Sequence, residues 1–182
     1  MDYIWLTEKQ VDEIIAHAHQ VKPYEACGIL AGKTNQVLQV IPTQNTAHDP
    51  KHNFEIDPID LSRHLPQLES DGLSLLGFYH SHPNSDPIPS STDIRESTYP
   101  NTIQLIAGLK TKQAQFGAWM IDGLRVNPVE IYIGTSEPPY KPQRKLSNAQ
   151  KNAIIITAIL ALVIMVVLSI NLLPAPPEIP TP

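Results

Sequence analysis

Cysteine is almost missing from this chain: Cys27 stands alone among 182 residues. That excludes an intramolecular disulfide framework and any multi-cysteine zinc or iron–sulfur cluster. Charge is also sparse, at 17%, and leans acidic, with 13 Lys and Arg against 18 Asp and Glu for a net −5. A general nucleic-acid binder carries the opposite surplus, so no nucleic-acid partner is expected. Glycine (8) is outnumbered by proline (18). No nucleotide-binding glycine fingerprint and no internal repeat is found. The opening residues, Met1 to Trp5, hold no basic segment followed by an apolar run, so no secretory signal is read there. What remains is 42% hydrophobic, enough for the core of one domain with an appendage.

The appendage is an apolar run over residues 153–173, uncharged, with only Thr157, Ser169 and Asn171 as polar members. At about 1.5 Å per residue it spans roughly 31 Å, the hydrocarbon thickness of a bilayer. A buried core helix of that length would show a polar face, and this one has none. Lys141, Arg144, Lys145 and Lys151 precede the run, and no Lys or Arg follows it. The positive-inside rule then places the N-terminal domain in the cytoplasm. The chain divides into a domain at 1–133, a proline-containing linker at 134–151, a transmembrane helix at 152–173 and a proline-rich tail at 174–182.

Within the domain, Thr7 and Gln10 form a capping-box pattern, and apolar residues from Val11 to Val21 recur at helical spacing. A helix is expected over 8–21, stopped by Pro23. Two strands, 27–31 and 37–41, flank the turn signal Gly32-Lys-Thr-Asn35 and suggest a hairpin. A short strand is expected at 53–56. Asp57 and Pro58 then open a helix with Leu61, Leu65 and Leu68 on one face, where Pro66 is a potential kink or early end and Gly72 a stop. Residues 75–82 read as a strand, 83–89 as a proline-rich loop, and a short helix starts near Ser90 or Ser91. Strands follow at 102–109, 115–121 and 125–133, the last two joined at Asp122-Gly123. This order predicts an α/β domain with a mixed central sheet and helices packed against it.

The chemistry concentrates in one stretch, His80-Ser-His82 followed by the proline loop and Ser90-Ser-Thr-Asp93. Side chains two apart on a strand share a face, so His80 and His82 present two imidazoles together. A carboxylate at Asp93, in the first turn of a helix, is placed to approach them. Two imidazoles and a carboxylate leave a fourth position open for water, as a catalytic zinc requires. Such a centre also needs a carboxylate base that is not a ligand, and Glu25 is a candidate. By itself Ser90 reads as a helix N-cap, Asp93 as a favourable first-turn charge, and Cys27 as a small core residue. His17, His19, His48, His52 and His64 have no comparable spacing.

The set as a whole resembles the signature of the JAMM metalloproteases, also called MPN+ domains: an upstream Glu, His-x-His, then Ser and Asp ten and thirteen positions after the first His. Ser90 and Asp93 stand at those offsets from His80. The run from Pro23 to Gly32, with Glu25 before Cys27-Gly28, is similar to the family's first strand, and the run from Asn53 to Pro58 resembles the lead into its second helix. The resemblance covers residues 5–133. It implies a cytidine-deaminase-like α/β/α sandwich and a zinc-dependent peptidase or isopeptidase. It implies that His80, His82 and Asp93 bind one Zn²⁺ with its water, that Glu25 deprotonates that water, and that Ser90 donates to the tetrahedral intermediate. The substrate it suggests is a protein or peptide, in particular the C-terminal tail of a ubiquitin-like or sulfur-carrier protein, lying as an added strand along a sheet edge. The alternatives are a non-catalytic scaffold of the same fold at the membrane and a nuclease-associated relative. The acidic balance weighs against the latter. The oligomeric state stays open.

Overall fold

A computed structural model describes residues 2–99, 101–136 and 148–171, and the chain divides into two units, Met1–Pro138 and Pro139–Pro182.

The first unit opens with a short strand, β1 (Tyr3–Leu6), and a helix, α1 (Glu8–Val21). The capping box at Thr7 is closed in both directions: Gln10 N donates to Thr7 Oγ1 at 3.3 Å, and Thr7 N donates to Gln10 Oε1 at 2.8 Å. Strands β2 (Cys27–Lys33) and β3 (Gln36–Thr43) form the expected antiparallel hairpin. The turn itself is Thr34-Asn35. Gly32 sits within β2, at a bulge where an added Cβ would come 1.9 Å from Gln36 O. Helix α2 (Pro58–Ser70) is capped by Asp57, which accepts from Ile59 N at 2.8 Å. It runs through Pro66 to Ser70 because Leu61, Leu65 and Leu68 bury one face against the sheet, and that packing outweighs the lost hydrogen bond. Then follow β4 (Ser74–His82), α3 (Ser91–Glu96), β5 (Ile103–Gly108), β6 (Gln115–Asp122) and β7 (Arg125–Ile133).

The seven strands form one mixed sheet in the order β1-β3-β2-β4-β5-β6-β7, closed into a barrel. Parallel neighbours are β4 with β5 and β1 with both β7 and β3. The expected α/β domain with a mixed sheet is observed. Helices do lie on both sides: Ile14 of α1 joins a core with Leu30, Tyr79 and Leu105, and Leu68 of α2 joins another with Cys27, Ile29 and Phe78. The sheet between them closes on itself, because the unforeseen β1 pairs along all four of its residues with β7 and touches β3 at Trp5 and Gln36.

The strand expected at 53–56 is replaced by a single bridge, Asn45 with Ile56. The Asn45 side chain holds this loop instead, donating to Asn53 O at 3.0 Å and to Glu25 O at 2.9 Å.

In the second unit, α4 (Asn148–Asn171) contains a window, Asn152–Ser169, long and apolar enough to cross a membrane, with none of it buried in protein. Its hydroxyls turn back on the helix: Thr157 donates to Ala153 O at 2.9 Å and Ser169 to Met165 O at 2.8 Å. Such internal satisfaction suits a medium without water. Most of the expected linker and the proline-rich tail at 174–182 lie outside the described residues.

Candidate metal centre

Strand β4 alternates, sending Tyr79 to one side and Phe78, His80 and His82 to the other. At its end the chain enters the loop 83–89 and returns as α3. Ser90 caps α3, accepting from Asp93 N at 3.1 Å, while Ser90 N donates to Asp93 Oδ2 in return. The same Asp93 oxygen lies 3.5 Å from His80 Nε2 and 3.4 Å from His82 Nε2, and the two imidazole nitrogens are 3.2 Å apart. The capping box thus fixes where the carboxylate points, and it points between the histidines.

All three side chains are buried, His80 completely. His80 is held by the Phe54 ring, stacked on it at 4.2 Å and 15°. His82 donates from Nδ1 to the Asp86 carbonyl at 3.0 Å. With its proton on Nδ1, His82 turns a lone pair at Nε2 toward a carboxylate oxygen and a second imidazole. Such a cluster asks for a cation at its centre. Donors on a tetrahedral zinc at about 2.0–2.1 Å lie roughly 3.3–3.4 Å from one another, so the observed triangle fits a metal of that size.

The titration behaviour of the three follows from the same geometry. Burial pulls His80 below the ordinary histidine value. Burial pulls His82 down as well, but Asp93 and the Asp86 carbonyl more than offset it and raise it. Burial alone would lift Asp93, whereas the adjoining His80 and His82 imidazoles hold it well below the usual carboxylate range.

Glu25 precedes β2, whose register sets Cys27 opposite His80 and Gly28 opposite Tyr79. Continuing that antiparallel register by two residues sets Glu25 opposite His82. Its backbone is pinned on both sides, N to Pro50 O at 2.7 Å and O from Asn45 Nδ2 at 2.9 Å. The side chain is 5% exposed, and Oε2 has no hydrogen-bond partner. Burial, countered in part by His82, pushes its carboxyl up to about 8. Cys27 faces the α2 side with its thiol at Thr43, and burial pushes that thiol up to about 11. At neutral pH it is no nucleophile. Of the remaining histidines, His17 bonds the Tyr79 hydroxyl at 2.9 Å, His52 pairs with Asp49, and His19 and His48 are exposed.

The structure therefore brings His80, His82 and Asp93 to one point, caps α3 with Ser90 beside it, and sets Glu25 just before the adjacent strand β2. An open cavity of about 420 Å³ adjoins Asp93 and Phe54 and reaches Gln104 on β5. Phe54 and the Asp86 carbonyl escape a reading of the sequence. The pattern at 53–58 points to a short strand and a helix start, not to Phe54 stacking on His80, and a carbonyl contributes no residue-type signal.

Residues 7–122 match the profile of prokaryotic homologs of the JAB domain. The chain is 40% identical over 101 residues to the desampylase of Haloferax volcanii, a stretch covering 52% of this chain and 73% of that protein. It is 39% identical over 89 residues to the probable TtuB-protein conjugate cleaving protease of Thermus thermophilus, covering 49% of this chain and 60% of that one. Among solved structures, a protein of Desulfitobacterium hafniense superposes with a TM-score of 0.68 at 32% identity, over 73% of this chain and 94% of that one.

Proposed function

The chain belongs to the family of prokaryotic homologs of the JAB domain, and on that footing we propose that it is a membrane-anchored, zinc-dependent peptidase or isopeptidase. The observation that carries this reading is the triangle of donor atoms on His80, His82 and Asp93, 3.2–3.5 Å apart and buried. Bound there, zinc supplies Lewis acidity and lowers the pKa of a coordinated water from about 15.7 to roughly 7.

The protein's own groups do the rest. His80, His82 and Asp93 would hold the ion. Glu25 orients the attacking water, takes its proton, and passes it to the leaving amine. A buried carboxyl near neutrality suits both halves of that transfer. The Ser90 Oγ accepts from Asp93 N, which leaves its hydrogen for the oxyanion of the substrate carbonyl. The cavity beside Asp93 gives room to a substrate residue next to the scissile bond. The substrate proposed is a conjugate of a ubiquitin-like or sulfur-carrier protein cut at its diglycine tail. The name of the Thermus relative, a conjugate-cleaving protease, supports that choice.

The apolar helix Asn152–Ser169 and the basic residues before it support a single span with the domain on the cytoplasmic side. The anchor confines hydrolysis to substrates reaching the membrane surface.

The test is hydrolysis of a carrier–lysine isopeptide conjugate by the full chain in mild detergent. Cleavage that a chelator abolishes and zinc restores is the expected result. A metal-free protein that folds and cleaves nothing would support the scaffold alternative instead.

A further inference from the structure

The loop 83–89 contains no candidate for the chemistry, yet it touches His82 at the nitrogen facing away from the metal triangle. The Asp86 carbonyl accepts from His82 Nδ1 at 3.0 Å and also from Ile88 N at 2.8 Å. The second bond closes a three-residue turn around Pro87. The pyrrolidine ring fixes φ near about −65°, close to the roughly −75° of an inverse γ-turn. Where Pro87 sits therefore decides where the Asp86 carbonyl sits.

Pro87 is gripped from the β5–β6 hairpin. Trp119 Nε1 donates to Pro87 O at 2.9 Å. Gly117 and Gly108 lie so close that an added Cβ would come 2.3 Å from Pro87 O and 2.8 Å from Pro87 Cδ. Lys110, just beyond β5, tethers the Asp86 carboxylate at 2.8 Å.

We infer that Trp119, with Gly117 beneath the strap and Lys110 as an outer tether, is a positioning residue for the metal centre. The hairpin clamps Pro87, Pro87 sets the Asp86 carbonyl, and that carbonyl keeps the His82 proton on Nδ1 so that Nε2 stays free to bind a cation. The inference rests on the reading of His80, His82 and Asp93 as metal ligands. Carbonyl partners of this kind typically change metal affinity by about 10- to 100-fold.

The experiment uses the full chain in mild detergent, with Trp119→Phe, Gly117→Ala and Lys110→Met. Zinc affinity is measured by competition with a chromophoric chelator. The His82 tautomer is read by nitrogen NMR in the metal-free protein. Trp119→Phe keeps an aromatic ring and removes the N–H. It is expected to weaken zinc binding by about tenfold or more and to erode the Nδ1–H tautomer while the metal-free unfolding midpoint holds. Gly117→Ala acts in the same direction by displacing Pro87. Lys110→Met gives a smaller loss that vanishes at high salt, as an exposed pair should. Unchanged zinc affinity in both Trp119→Phe and Gly117→Ala overturns the inference, as does an Nε2–H tautomer in the unaltered chain. Should Trp119→Phe fail to fold, Gly117→Ala and the tautomer of the unaltered chain decide. A chain that binds no zinc while keeping the Nδ1–H tautomer refutes the metalloenzyme reading and leaves the clamp standing.

Discussion

The two units of this chain break the ordinary rule of burial in opposite ways. The domain buries its apolar side chains and, with them, Glu25, His80, His82 and Asp93. The C-terminal helix carries an apolar window with none of it buried, Ile159 being 57% exposed and Leu162 58%. Burying a cluster of ionisable groups and exposing a long apolar surface are both costly in water. On the function proposed above, a cation would answer the first violation and a bilayer the second.

The comparison is broken most sharply by the same substitution in both places. Ile29→Ala, in the fully buried core, is expected to cost about 2–5 kcal/mol of unfolding free energy. Ile159→Ala should leave the domain's unfolding free energy within about 0.5 kcal/mol. Equal effects would mean that the helix packs on the domain as a core element. Leu162→Lys, near the middle of the window, should weaken insertion by about 2.5–3.5 kcal/mol, seen as a shift from the membrane to the soluble fraction. Unaltered fractionation would remove the anchor.

Ser90→Ala sharpens the domain side. Loss of the N-cap is expected to cost about 0.5–2 kcal/mol of stability. If Ser90 also serves the oxyanion, kcat falls by about 100- to 1000-fold with zinc still bound, whereas a cap alone would lower the rate only together with zinc occupancy. A further effect concerns Glu25 in the metal-free protein. Its folded carboxyl is raised to about 8, so between the unfolded value near about 4.3 and that point the folded state holds a proton the unfolded state has lost. Stability should fall as pH rises through this window, by at most about 1.4 kcal/mol per unit. Glu25→Gln should flatten that decline and unfold at a higher temperature than the unaltered chain at pH 8. Parallel pH profiles for the two proteins would mean that Glu25 is solvated.

Much of this was legible in the residues themselves. Thr7 and Gln10 marked the start of α1, Asp57 and Pro58 that of α2, and His80-x-His82 on a strand sets two imidazoles on one face by local geometry alone. What local pattern does not report is which strands lie side by side. The four residues of β1 gave too short a run to count as a strand, and with β1 went the closure of the barrel. The placement of Glu25 across from His82 depends on the register between β2 and β4, and 55 positions separate Ala26 from Ser81, which bond each other there. The grip of Trp119 on Pro87 is likewise a product of tertiary proximity, with 32 positions between them.

The central claim is that one acidic residue serves a metal it does not hold. Metal content and conjugate hydrolysis, measured together on Glu25→Gln, test it most directly. The expected result is one zinc per chain, as in the unaltered protein, with hydrolysis slowed by about 100- to 10,000-fold. Loss of the zinc along with the activity, or hydrolysis at the full rate, would contradict it.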